Sequence, residues 1–280
     1  MKTELSKELN WELDIQEVQI ANKADKSKVA ICRSDNGELL NICSNQYRPF
    51  YNTELKNLVH EITAISDFRL EGFQEFGNGK RILAFLKNNK QTTLGNQAVK
   101  DFLIIGNSHD TTSKVFAGMS NYMFRCENQF TSDLYPLRLK HLNDQHGNVI
   151  NPKTIIKNYL HNREQLDLKV NRMMTVTINN WMANQMVDRL LMKLAPEISS
   201  LDYQANQRKR KVEIMNSLER ETNDLGMTLW GFYNGITHYT SNVLKGKQGF
   251  GNTNSLGGRI NKIAWEICQR MLERNRNLHD

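Results

Sequence analysis

The sequence predicts an α+β protein: an N-terminal antiparallel β-hairpin sheet with a crossing helix, then a C-terminal helical half. Three observations carry that prediction. The turns Asp35-Asn36-Gly37 and Gly77-Asn78-Gly79 each join two β-prone runs, and Asn-Gly supplies the positive backbone angles that tight hairpins need. Between Lys100 and Phe130 an apolar run (Phe102 to Ile105) ends in the polar loop Asn107-Ser108-His109-Asp110, and a second apolar run (Val115 to Met119) returns. That order is strand, turn, strand. From Lys153 to Leu194 the apolar residues recur at three and four positions instead, the period of a helix.

Taken in order, residues 1–20 read as a short helix or arm with Leu5, Leu9, Trp11 and Leu13 on one side. Lys28 to Arg33 and Glu38 to Ser44 form the first hairpin, closed by Tyr47-Arg48-Pro49-Phe50. Thr53 is a candidate cap for a helix carrying Leu55, Leu58, Val59 and Ile62. Phe68 to Phe76 and Lys80 to Lys87 form the second hairpin, and the run from Lys100 to Met119 adds further strand. Residues 1–150 are therefore the β-hairpin region. Residues 151–280 are the helical region packed on it, as a second domain or within one continuous domain. The stripe from Lys153 to Leu194 exceeds an average helix, so a break is expected near Leu166 to Met174. Residues 204–221, 224–244 and Arg259 to Arg274 give three more helices. No repeat of solenoid period recurs.

At 280 residues the chain can bury a substantial core, and 39% apolar with 24% charged residues fits a globular protein. No apolar run approaches the roughly 20 residues that span a bilayer, and the N-terminus lacks a signal-peptide core. Cys32, Cys43, Cys126 and Cys268 show no paired spacing, which points to reduced thiols in a cytoplasmic protein and to neither zinc nor disulfides. No cofactor is signalled. The net charge of +7 is uneven: residues 1–140 hold 18 basic against 17 acidic residues, and residues 141–280 hold 19 against 13. A basic half suits a polyanionic partner, since neutralised phosphates release condensed counterions; it equally suits a solvated surface.

Several motifs could carry function. Gly77-Asn78-Gly79 places Lys80 and Arg81 at a hairpin tip, with Lys87 at the far end of the next strand. Basic hairpins follow nucleic-acid backbones, and Phe73, Phe76 and Phe85 offer stacking faces or core packing. Arg125, beside Cys126 and Glu127, is a phosphate-binding arginine or half of a buried ion pair. Arg208-Lys209-Arg210-Lys211, the densest basic run, would grip phosphates or pair with nearby glutamates. Leu229 to Tyr239 is aromatic at helical spacing, which favours a packed seam over a ligand box. Lys245 and Lys247 lie in a glycine-rich loop without the Gly-Lys-Ser/Thr ending of a Walker loop. His109 beside Asp110 suggests metal or proton chemistry, but without further ligands the pair reads better as a loop capping two strands.

These motifs, in their order, make the chain resemble the phage/plasmid-like proteins, a domain-of-unknown-function family carried by phages, prophages and plasmids. The resemblance spans roughly residues 28–265. It rests on Gln46-Tyr47-Arg48-Pro49, Phe76-Gly77-Asn78-Gly79-Lys80-Arg81, Asn107-Ser108-His109-Asp110, Arg125-Cys126-Glu127-Asn128, Leu229 to Asn234 and Gly257-Gly258-Arg259. Thr111-Thr112 stands where the family favours a glycine. The mobile-element setting implies work on DNA. The expectation is a non-enzymatic, oligomeric, cytoplasmic protein that binds single-stranded DNA in recombination or replication, through Lys80, Arg81, Lys87, Arg125, Arg208 to Lys211, Lys245 and Lys247. The alternative is an interaction protein that inhibits a host defence or replication factor. A salt-insensitive, stoichiometric host complex without DNA affinity would mark it.

Overall fold

The computed structural model describes residues 5–20, 23–112, 115–123, 129–139, 151–194, 201–244 and 255–276, with the side chains of 121–123, 129–139, 201–205 and 276 left aside. It is an α+β fold with antiparallel sheet in the N-terminal half and helices in the C-terminal half. Three strands, β1 (Leu13–Ile20), β2 (Lys23–Arg33) and β3 (Leu39–Ser44), form one antiparallel sheet in chain order. Helix α1 (Asn52–Ala64) follows. A second sheet has the order β4 (Phe68–Phe76), β5 (Arg81–Asn88), β7 (Gln97–Ser108), β8 (Val115–Met123), β9 (Gln129–Leu139), with the short β6 (Thr92–Leu94) paired to β7. The helices are α2 (Pro152–Thr175), α3 (Asn180–Leu194), α4 (Leu201–Leu225), α5 (Leu229–His238) and α6 (Leu256–Arg276), with a π-helical turn over Tyr239–Val243.

The chain forms two compact units that interleave along the sequence. One comprises Met1–Gln91, Asp101–Ser120 and Ser132–Asn162; the other comprises Thr92–Lys100, Asn121–Thr131 and Arg163–Asp280.

In the first unit, strand β1 stands where a short helix or arm was expected. Its residues pair with β2 from Leu13↔Arg33 to Ile20↔Lys23, so the backbone is satisfied by ladder bonds and not within a helix. Helix α1 begins at Asn52, one residue before the expected cap, because a distant carboxylate holds its first turn. Glu12 accepts from the Asn52 N–H (2.8 Å), the Thr53 N–H (2.7 Å) and the Thr53 hydroxyl (2.6 Å). Tyr51 N–H donates to Glu54 of the same turn at 2.7 Å. A carboxylate suits the positive end of the helix dipole. Burial works against charge on Glu12, but the bonds from Thr53 and Asn52 prevail and hold its pKa below the ordinary value. Leu55, Leu58, Val59 and Ile62 make the buried side of α1, and α1 packs on β4.

Helix α2 runs past the expected break to Thr175. The chain turns over Val176–Asn179, where Ile178 N–H donates to Met227 O and Leu229 N–H to Val176 O. These β-type contacts, with a Thr177↔Thr228 bridge, explain why the interruption falls there. Thr228 caps α5 by accepting from Gly231 N–H at 3.1 Å. Every residue of α5 is buried, with Tyr233 stacked on Trp230 at 6.0 Å and edge-on to Trp265 at 5.1 Å. The aromatic seam is core. Among the described residues no helix is long and apolar enough to cross a membrane.

Candidate nucleic-acid interface

The β4–β5 hairpin builds the candidate site. Its turn uses three successive positive φ angles, Gly77 (58°), Asn78 (58°) and Gly79 (96°). Gly79 is required twice over: an L side chain is strained at that φ, and a Cβ would stand 2.6 Å from Trp11 Cζ2 and 2.9 Å from an Arg33 guanidinium nitrogen. The tip is fastened to the first sheet's strands and the segment before them. Trp11 Nε1 donates to Glu75 at 3.0 Å, Arg33 donates to Glu75 at 2.7 Å and to Asn78 O at 3.1 Å, and Asn78 donates to Glu38 at 2.8 Å. The guanidinium also covers the Trp11 ring at 4.1 Å and pairs with Asp35 at 2.7 Å. Asp35 first, then Glu75, raises the Arg33 pKa further still. Arg33 is spent on structure, and nothing in the sequence around it singles it out.

Register then decides which cations share a face. Directly opposite residues of antiparallel strands point to the same side. Along β4–β5 the pairs Arg69↔Lys87, Gly72↔Phe85, Gln74↔Leu83 and Phe76↔Arg81 lie on one face. Across β5–β7 the same face continues with Ser108, Gly106, Ile104 and Phe102, opposite Arg81, Leu83, Phe85 and Lys87. Phe85, Ile104 and Gln74 are buried at its centre, while Phe76, Leu83 and Phe102 are half-exposed. Phe116 crosses Gly106 so closely that a Cβ there would sit 2.1 Å from its ring. Arg81 is exposed; Lys80 and Lys87 are half-exposed. Arg69 is held by Glu71 at 2.9 Å. Lys87 sits opposite Arg69, a like-charged pair that an anion would relieve. Arg81 and Lys87 are about 20 Å apart along the strand. The other face carries Phe68, Phe73, Ile82, Ala84, Leu86, Leu103 and Ile105 into the core.

The loop after β7 closes one end of this face. His109 is wholly buried; its Nε2 lies 3.0 Å from Asn52 Oδ1, and its N–H donates to Lys80 O at 2.8 Å. Asn52 in turn donates to Trp11 O at 3.0 Å, and the Trp11 and His109 rings meet edge to face at 5.7 Å. Asn107 donates to Phe50 O at 2.7 Å. His109 thus ties three chain segments together. Asp110 turns to the surface instead, where it accepts from Ser108 and Thr112. Burial opposes its charge, but those bonds and the Arg81 cation hold its pKa below the ordinary value. Thr111 takes φ 59°, the left-handed conformation that glycine adopts without strain. Among the described residues no group of three or more His, Cys, Asp or Glu is placed to hold a metal ion.

The other predicted cations belong elsewhere or lie outside the described residues. The run from Arg208 to Lys211 is on α4, and helical geometry splits it. Arg208 and Lys209 are exposed. Arg210 is half-buried beside Gln207 and Tyr239, and Lys211 pairs with Asp188 at 2.6 Å. Arg125, Lys245 and Lys247 lie outside the described residues. Phe73 and Phe85 are core side chains, whereas Phe76, Phe102 and Phe116 are half-exposed. In the sequence, Phe102 and Phe116 carry no signal beyond their place in apolar strands.

The fold and site define an α+β protein whose glycine hairpin and His109 loop are built into one polar network beside a mixed basic and aromatic sheet face. The chain belongs to the family described as Domain of unknown function (DUF932), whose model matches residues 39–274. No curated protein and no solved structure matches it.

Proposed function

We propose that this is a non-enzymatic nucleic-acid-binding protein of a phage or related mobile element, acting as an oligomer on single-stranded DNA in recombination or replication. The observation that carries the reading is the β4–β5–β7 register, which sets Arg81 and Lys87 on one sheet face with the half-exposed Phe76 and Phe102. Cations that follow a backbone, with rings for bases to stack on, make a sequence-tolerant single-strand site. Lys80 extends the cationic edge, and Arg208 and Lys209 supply a separate exposed basic patch in the second unit.

The test is fluorescence anisotropy with a labelled single-stranded oligonucleotide, titrated with salt and competed with duplex. Tight binding that weakens steeply with salt and prefers single strands supports the reading. Arg81→Glu with Lys87→Glu should abolish it while leaving the circular dichroism spectrum unchanged. Unchanged affinity in that folded variant refutes the assignment of the face. Absence of binding by the wild-type chain at low salt refutes the nucleic-acid reading and turns attention to a protein partner.

A further inference from the structure

Trp181 and Met192 stand 70% and 76% exposed on α3. Eleven residues, three turns, separate them, so they lie on one line of the helix about 16 Å apart. On that line between them are the exposed Gln185 and the half-exposed Asp188, whose Oδ1 is bound by Lys211. The opposite side, from Ala183 to Leu194, is buried. One exposed apolar residue signals nothing. Here the order is informative: apolar, polar, polar, apolar reads the same in both directions.

We propose that this side of α3 is a twofold self-association surface whose partner is a second copy of the chain. An isologous contact brings residue i to j and j to i. With two α3 helices antiparallel about an axis between residues 186 and 187, Trp181 meets the second copy's Met192, and Gln185 meets its Asp188. Thioether against indole is favourable, and the glutamine amide donates to the carboxylate. Along this line no like charges oppose. A parallel arrangement would instead set Asp188 against Asp188. The half-exposed Met215 shares the side of α4 from which Lys211 reaches α3 and widens the contact. One helix and the flank of another give a contact at the small end of specific interfaces, below about 1,200 Å², so association is concentration-dependent. This gives the oligomer of the proposed function a surface, and its test contains no nucleic acid, so the two can fail separately.

The experiment is sedimentation equilibrium of the full chain. The mass should rise with concentration from 32.5 kDa toward twice that value. Trp181→Glu and Met192→Lys, both at exposed positions and therefore compatible with folding, should each weaken association by more than about tenfold. Mixing the two variants should restore a dimer, because the carboxylate introduced at 181 then faces the ammonium introduced at 192. A monomer at every concentration, a dimer insensitive to both variants, or failure of the mixture to associate overturns the proposal.

Discussion

Replacing Gly79 by alanine isolates what fastens the β4–β5 turn. Two costs add at this position. An alanine at φ 96° carries backbone strain of about 1–2 kcal/mol. Its Cβ would also enter the space of the Trp11 ring, at 2.6 Å, so the indole must move from its bond to Glu75 and from beneath the Arg33 guanidinium. Weakening a hydrogen bond to a charged acceptor and an aromatic–cation contact costs about 2 kcal/mol together. The expected loss is about 3–4 kcal/mol. Urea unfolding should show it as a midpoint lowered by about 1 M for a slope near 3 kcal/mol per molar. Gly77→Ala is the internal control. Its φ is also positive, but the nearest atom to a new Cβ is Lys80 Cβ at 3.5 Å, so only strain of about 1 kcal/mol remains. If Gly79→Ala costs no more than Gly77→Ala, Trp11 does not clamp the turn.

Asn52→Ala removes the bridge between His109 and the Trp11 carbonyl and leaves buried polar groups unsatisfied. It should cost about 2–3 kcal/mol in urea unfolding, whereas Lys211→Met, at a partly exposed pair, should cost about 0.5 kcal/mol. Glu12→Gln weakens the cap of α1 and should cost about 1 kcal/mol at neutral pH. Because the folded-state pKa of Glu12 lies below 4.5, its contribution is complete above that pH and is lost as pH falls through the folded value. The gap between wild type and Glu12→Gln should therefore close in acid, measured as unfolding midpoints against pH. Arg81→Ala with Lys87→Ala should flatten the slope of log affinity against log salt by about 1.4 for single strands, two phosphate contacts at about 0.7 each. An unchanged slope would remove both residues from the interface.

Both Asn-Gly hairpins were legible in the sequence, because a turn that needs positive φ restricts its residues locally. The crossing helix and the C-terminal helices were legible as well, since a helical stripe records its buried side every three or four residues. Strands β6 and β9 were not. The first has only three residues, and the second is interrupted by Pro136, tolerated because β9 ends the sheet order. The site was legible in part. Arg81 and Lys87 announce themselves as cations on a strand, and the Asn107 to Asp110 loop announces itself as polar. That His109 turns inward to Asn52 while Asp110 turns outward could not be read, because both lie in a bend after β7, where no strand or helix period assigns sides and only packing selects the inner one.

The sequence by itself determined the α+β class, the hairpin turns and the burial of the Trp230 seam, all consequences of local conformational demand or of residue period, and the order of its motifs pointed to a domain-of-unknown-function family. Only the tertiary structure decided that residues 13–20 are a strand, that Glu12 caps α1 and that Arg33 is consumed by Glu75 and Asp35. It also decided that Arg81, Lys87, Phe76 and Phe102 share one face. Those outcomes depend on which segments pair and in what register, and a one-residue shift of register would turn each side chain to the other side of the sheet.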